Sequence, residues 1–129
     1  MTFKLFDYCN PAGANEFKAW TQALQPVQRG KLNAKLDMLK MLGVGLLPEI
    51  LTGTDTPGIL KLRIKGNVQL RPMLCKGPID VDEEFSLLVG AIEVGRKLKP
   101  RNADVIANGR KKEIRSDPDN RRVKHERVS

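Results

Sequence analysis

Gly58–Pro78, GILKLRIKGNVQLRPMLCKGP, and Glu84–Pro100, EFSLLVGAIEVGRKLKP, decide the fold. From Ile59 to Lys65 the apolar residues Ile59, Leu60, Leu62 and Ile64 are interleaved with Lys61, Arg63 and Lys65, the period-two signature of a half-buried strand. Gly66-Asn67 reads as a short turn, and Val68–Cys75 as the antiparallel partner. Pro72 lacks an N–H for the ladder, so it is expected at an edge or a bulge. Gly77–Glu84 reads as an acidic turn and Phe85–Val94, strongly apolar, as a central strand. Cations recur along and just past these strands: Lys61, Arg63, Lys65, Arg71, Lys76, Arg96, Lys97 and Lys99. A small sheet that displays cations, with one histidine and few aromatics in the whole chain, suggests a protein that grips phosphates.

Working outward, Phe3–Tyr8 is predicted as a first strand, broken by Asn10-Pro11-Ala12-Gly13. Phe17, Trp20 and Leu24 recur at spacings of three and four, which predicts an amphipathic helix over Glu16–Leu24 with the two aromatics in the core. Pro26 suits the first position of a second helix, whose stripe is Leu32, Leu36, Leu39 and Leu42, ended by Gly43 and Gly45. The two helices are expected to fold back as a hairpin. Leu46–Pro57 reads as a connecting loop. Beyond the strands, Asn102 is expected to cap a basic helix anchored by Val105, Ile106 and Ile114 and stopped by Pro118.

With 129 residues the chain is large enough for one cored domain. Two cysteines, Cys9 and Cys75, imply no disulfide framework, and with a single histidine no zinc site or other cofactor is expected. No apolar run nears the roughly 20 residues of a membrane span, and the N-terminus lacks a signal-peptide core, so a cytoplasmic protein is expected. The net charge of +8 is uneven: residues 1–93 carry 11 Lys+Arg against 10 Asp+Glu, and residues 94–129 carry 12 against 5. The expected organisation is one domain over residues 1–115 and a basic, flexible tail over residues 116–129.

The order of strand, helical hairpin, loop, antiparallel meander and basic helix, with the motifs GILKLRIKGNVQLR and FSLLVGAIEVGRKLKP, resembles the RelE/HigB-type toxins of bacterial toxin–antitoxin systems, in particular their phage-derived branch. The resemblance spans about Phe3–Lys112. It implies an α+β fold and a toxin that enters the ribosomal A site and cuts messenger RNA. A cognate antitoxin, often a helix-turn-helix repressor, is the implied partner alongside the mRNA on the ribosome, and no membrane is involved. Cleavage of this type uses the ribose 2′-OH against the adjacent phosphate. It needs a base, donors for the phosphate oxygens and an acid for the leaving oxygen. Arg63, Arg71, Arg96 and Lys97 are the catalytic candidates, Arg63 foremost because its planar fork matches two phosphate oxygens. Lys61, Lys65, Lys76, Lys99 and Arg101 are the candidate RNA contacts. Crowding among the cations is expected to let Lys76, Lys97 or Lys99 exchange a proton.

The chain departs from the family in its proton-transfer groups. Val89 and Ala91 stand where many relatives have a histidine and an aromatic, residues 101–109 contain no tyrosine, and residues 51–58 contain no cation. Two other readings therefore stay open: a non-cleaving RelE/ParE-like binder, such as a gyrase inhibitor or an inactive phage relative, and a nucleic-acid-binding module that works through its tail.

Overall fold

The computed structural model describes residues 2–129 and is an α+β fold of three layers. After β1 (Lys4–Tyr8), the Asn15 side chain accepts a hydrogen bond from the Lys18 amide (3.0 Å) and starts α1 (Glu16–Ala23). Pro26 opens α2 (Pro26–Leu42) at its first position. Gly43 closes it with φ +51, and the Phe3 ring packs where a Cβ would stand, so glycine is required there twice over. Leu32, Leu36 and Leu39 are buried as expected, but Leu42 is exposed. Leu46, from the 3-10 turn Gly43–Leu46, takes the next buried place. α1 rests mainly on strands of the sheet rather than along α2, so the two helices form a layer and not a tight hairpin.

The main sheet runs β2-β3-β5-β6-β1-β9, with β2 Leu51–Gly53, β3 Leu60–Leu62, β5 Met73–Lys76, β6 Glu84–Val89 and β9 Arg122–Lys124. It is mixed, not antiparallel throughout: β1 lies parallel to β6, Lys4 opposite Glu84 and Asp7 opposite Leu87. A parallel pair needs a long crossover, which the helices and the strands β2 to β5 supply. The expected loop 46–57 contributes β2 as an edge strand against β3.

Two expected strands are divided. Pro72 splits 68–75 into β4 (Gln69–Leu70) and β5, and the β5–β6 register shifts between Met73 and Leu74, the irregularity expected beside a proline. Gly90 splits 85–94 into β6 and β7 (Ile92–Val94), and the Trp20 indole fills the space that a side chain there would need. β4, β7 and β8 (Lys97–Lys99) form a second, three-stranded sheet.

Each face of the main sheet has its own core. Leu5, Leu62, Leu74, Phe85 and Leu87 meet Phe17, Leu32, Leu36 and Leu39 on one side. Tyr8, Met73, Cys75 and Leu88 meet α3 (Ala103–Ser116) on the other. The anchors of α3 are Ala103, Ala107 and Ile114, whereas Val105 and Ile106 face solvent, because small alanines allow the close approach that the stripe one position over does not. Asn102 does not cap through its side chain. It holds φ +56, not the extended conformation from which a cap reaches the first turn.

The segment 116–129 is not a flexible tail. Pro118 starts a short helix, α4 (Pro118–Arg121), and β9 then pairs with β1, Arg122 opposite Tyr8 and Lys124 opposite Phe6. Its charges find partners in the domain. Arg122 donates to the buried Glu84 (2.7 Å) and stacks over Phe6, His125 meets the buried Asp7 (2.8 Å), Arg127 donates to Asp37 (2.9 Å) and Asn33 donates to the Val128 carbonyl (2.8 Å). A buried carboxylate without its partner is costly. Arg122→Ala is therefore expected to lower unfolding free energy by about 3 kcal/mol in urea titrations, against less than about 0.5 kcal/mol for the exposed Lys124→Ala.

Candidate phosphate-binding grooves

Lys31 and Lys35 stand one turn apart on α2 and line, with Arg63 and Lys65 just past the end of β3, a groove of about 690 Å³. Glu49, Ile50 and the buried Ile64 complete its lining with Ala34. The Arg63 amide donates to the Ile50 carbonyl (2.8 Å), which fixes the backbone of the strand wall. Among the described residues none of these four cations forms a salt bridge. Four unpaired cations converging on one groove with a single carboxylate make a field suited to a phosphodiester. Of the expected residues, Arg63 and Lys65 are here. Lys31, Lys35 and Glu49 were missed, although the i, i+4 lysine pair on the polar flank of the Leu32/Leu36 stripe was a usable signal.

Arg96, Lys97 and Arg101 line a different groove of about 450 Å³, together with Asp55, Asn102 and Asp104. Gly95 (φ +54) and Arg96 (φ +67) form the two-residue turn between β7 and β8, with Val94 opposite Lys97. This hairpin tip presents its cations beside two acids, one of which, Asp104, is already engaged by the Thr56 hydroxyl (2.8 Å). The two grooves share no lining residue, so the candidates do not form one cleft. Lys61 on β3, Lys76 at the end of β5 and Lys99 on β8 line neither.

Arg71 is a structural residue. It is 5% exposed and donates to the carbonyls of Leu70 (2.9 Å) and Ile64 (3.4 Å) and to the Gln69 amide oxygen (3.1 Å), with Glu93 at 3.6 Å. Burial holds its guanidinium below the usual arginine range, with the charge of Arg63 adding to this and Glu93 opposing it. A buried group with four of its five N–H donors turned to internal partners is poorly placed to receive a phosphate.

The proton-exchanging side chains outside the grooves are also tied down. Tyr8, the only tyrosine, donates to Glu113 (2.8 Å) under the Arg110 guanidinium, and burial first, then Glu113, pushes its pKa up to about 12. His125, the only histidine, is held by Asp7, whose second oxygen accepts from Asn15 (2.9 Å). Burial likewise pushes the Cys75 thiol up to about 11, an inert thiol of the core. No family model matches the chain, and no curated protein or solved structure matches it either.

Removal of Arg71 strips donors from buried carbonyls and opens a void, so Arg71→Ala is expected to cost about 3 kcal/mol in thermal melts, while Arg63→Ala stays within about 0.5 kcal/mol. Tyr8 has a folded-state pKa above its unfolded value of 10.0. Its stabilising effect is therefore complete below pH 10 and is lost as pH rises from 10 through about 12. With a single tyrosine, the alkaline absorbance change follows this group alone, and its midpoint is expected near 12 in folded protein and near 10 in urea.

Proposed function

We propose that the chain is a RelE/HigB-type toxin that cuts messenger RNA on the ribosome, and that the groove between α2 and the end of β3 receives the RNA backbone. The observation that carries this reading is the convergence of Lys31, Lys35, Arg63 and Lys65, unpaired, around one carboxylate. The element order shares with that resemblance a first strand, two helices, later strands and a basic helix, although the helices form no tight hairpin and the later strands are divided between two sheets. In this reading the Arg63 fork and the lysines neutralise the phosphate oxygens in the transition state. Glu49, the carboxylate of the groove, takes the proton of the ribose 2′-OH as its oxygen bonds to phosphorus. The bond to the 5′-oxygen breaks, that oxygen is protonated by an ammonium of the groove, and a 2′,3′-cyclic phosphate and a 5′-hydroxyl remain. An antitoxin with an acidic segment would silence the protein by covering these cations.

One observation favours a second reading, a binder of the same type that does not cleave. Tyr8 and His125 are both committed to internal pairs, so among the described residues lining the groove Glu49 is the one carboxylate left to act as a base near Arg63. The tail-driven reading loses support, because Arg121, Arg122 and Arg127 are each paired with an acid.

Induced expression in a bacterial host, with primer extension on a translated message, separates these. Growth arrest with cuts that appear only during translation is expected. Arg63→Ala should lower cutting by a factor of about 100 and Glu49→Gln by a similar factor, in line with the loss of one transition-state donor or base. Arrest without cuts selects the non-cleaving binder, and neither arrest nor cuts rejects both.

A further inference from the structure

The cationic groove continues past Lys31 into a smaller compartment of about 220 Å³, which shares Lys31, Ile64 and Lys65 with it. The chemistry changes at that junction. On the α2 wall the stripe Lys35, Lys31, Gln28, Gln25 turns from ammonium to amide at spacings of four, three and three, so all four residues look the same way. On the facing wall Arg63, Lys65 and Asn67 occupy alternate positions and change in the same direction. Val27 and Val68 add apolar surface to the amide end, over the buried Leu70. The stripe is about 15 Å long at the rise of a helix, and the facing wall is the segment that follows β3 and bends at Gly66 and Asn67. A track of that reach and polarity takes a short run of extended chain, charged at one end and neutral at the other.

Lys31 is held at the junction. Its Nζ lies 3.5 Å from the Lys65 carbonyl and 3.0 Å from where a Cβ on Gly66 would stand. The bare backbone of Gly66 lets the ammonium lie across the turn, at the point where the charged half ends.

We propose that the compartment lined by Gln28, Asn67, Val27 and Val68 takes one unstacked base of the RNA strand whose phosphates lie against Lys31, Lys35, Arg63 and Lys65. The inference rests on the RNA reading of the main groove and assigns its sequence preference. An amide offers one donor pair and one acceptor, so Gln28 and Asn67 can each pair with a base edge. The two valines cover the base face, and no charge is needed there. Cations supply affinity that is blind to sequence, and the amides supply the discrimination.

The test is fluorescence anisotropy at low salt with labelled short oligouridines carrying a single central A, C, G or U. Wild-type protein is expected to prefer one central base over the poorest by about tenfold. The double variant Gln28→Ala/Asn67→Ala should bind all four alike, with its affinity for the poorest oligomer retained. Lys31→Ala/Lys35→Ala should weaken all four together and reduce the salt dependence by about two ions, with the base preference kept. Gly66→Ala, which displaces Lys31 without touching the amides, should follow the lysine variant in direction. Equal wild-type binding of the four oligomers, a preference that survives loss of both amides, or no binding to any oligomer overturns the base compartment. Failure of the toxin reading appears elsewhere, as an absence of cuts during translation, and leaves a base-dependent affinity intact.

Discussion

Glu84 is the carboxylate on which the closure of the fold depends. It sits on the central strand β6, is 5% exposed, and ties the end of the chain to its own preceding turn: Arg122 donates to it at 2.7 Å and the Asp80 amide at 2.8 Å. Asp7, next door on β1, is 1% exposed and binds Asn15 and His125. Two buried acids on adjacent parallel strands would be untenable without partners, and one partner of each, Arg122 and His125, comes from the last eight residues of the chain. The return of β9 to the edge of the sheet is thus dictated by electrostatics in the core. Its own apolar content is slight, since Val123 is 42% exposed.

That closure redistributes charge. Read along the sequence, the positive excess belongs to residues 94–129. In three dimensions Arg110, Arg122 and Arg127 pair with Glu16, Glu84 and Asp37, all of which belong to the near-neutral part of the chain. Each such pair removes an acid from the first 93 residues and uncovers a cation there. The excess that a ligand meets therefore lies along α2 and β3 as much as at the C-terminus. A linear charge count locates a field only when the segments that carry it do not pair with one another.

Much of the fold was legible. The helical stripes of α1 and α2, the proline and glycine at the ends of α2, the alternation around Leu62 and the basic final helix all follow from local periodicity, which needs no tertiary information. What was illegible depended on contacts between distant residues. Gly90 ends β6 because Trp20, seventy residues earlier, occupies its side-chain space. Ile114 anchors α3 as its pattern implies, but the other two anchors are alanines, which no hydropathy pattern favours over Val105 and Ile106. Of the site, the alternating Arg63 and Lys65 were visible, but half of the groove comes from α2, and only folding sets Lys31 and Lys35 opposite them.

Arg63 and Arg71 show why residue type alone does not define a site. They stand eight residues apart in one motif, and both carry a guanidinium suited to phosphate. Pro72 decides between them. By breaking the strand it sends β4 to the small sheet and β5 to the large one, and the turn of chain between the two is where Arg71 lies buried. Its guanidinium donates to the Ile64 and Leu70 carbonyls and to the Gln69 amide oxygen and faces Glu93, and its charge bears on Arg63. Arg63 has no such duty, and only its backbone is fixed, by the Ile50 carbonyl. One arginine is taken up by the small sheet and the Ile64 bridge beside it, and the other keeps its side chain free to meet an anion.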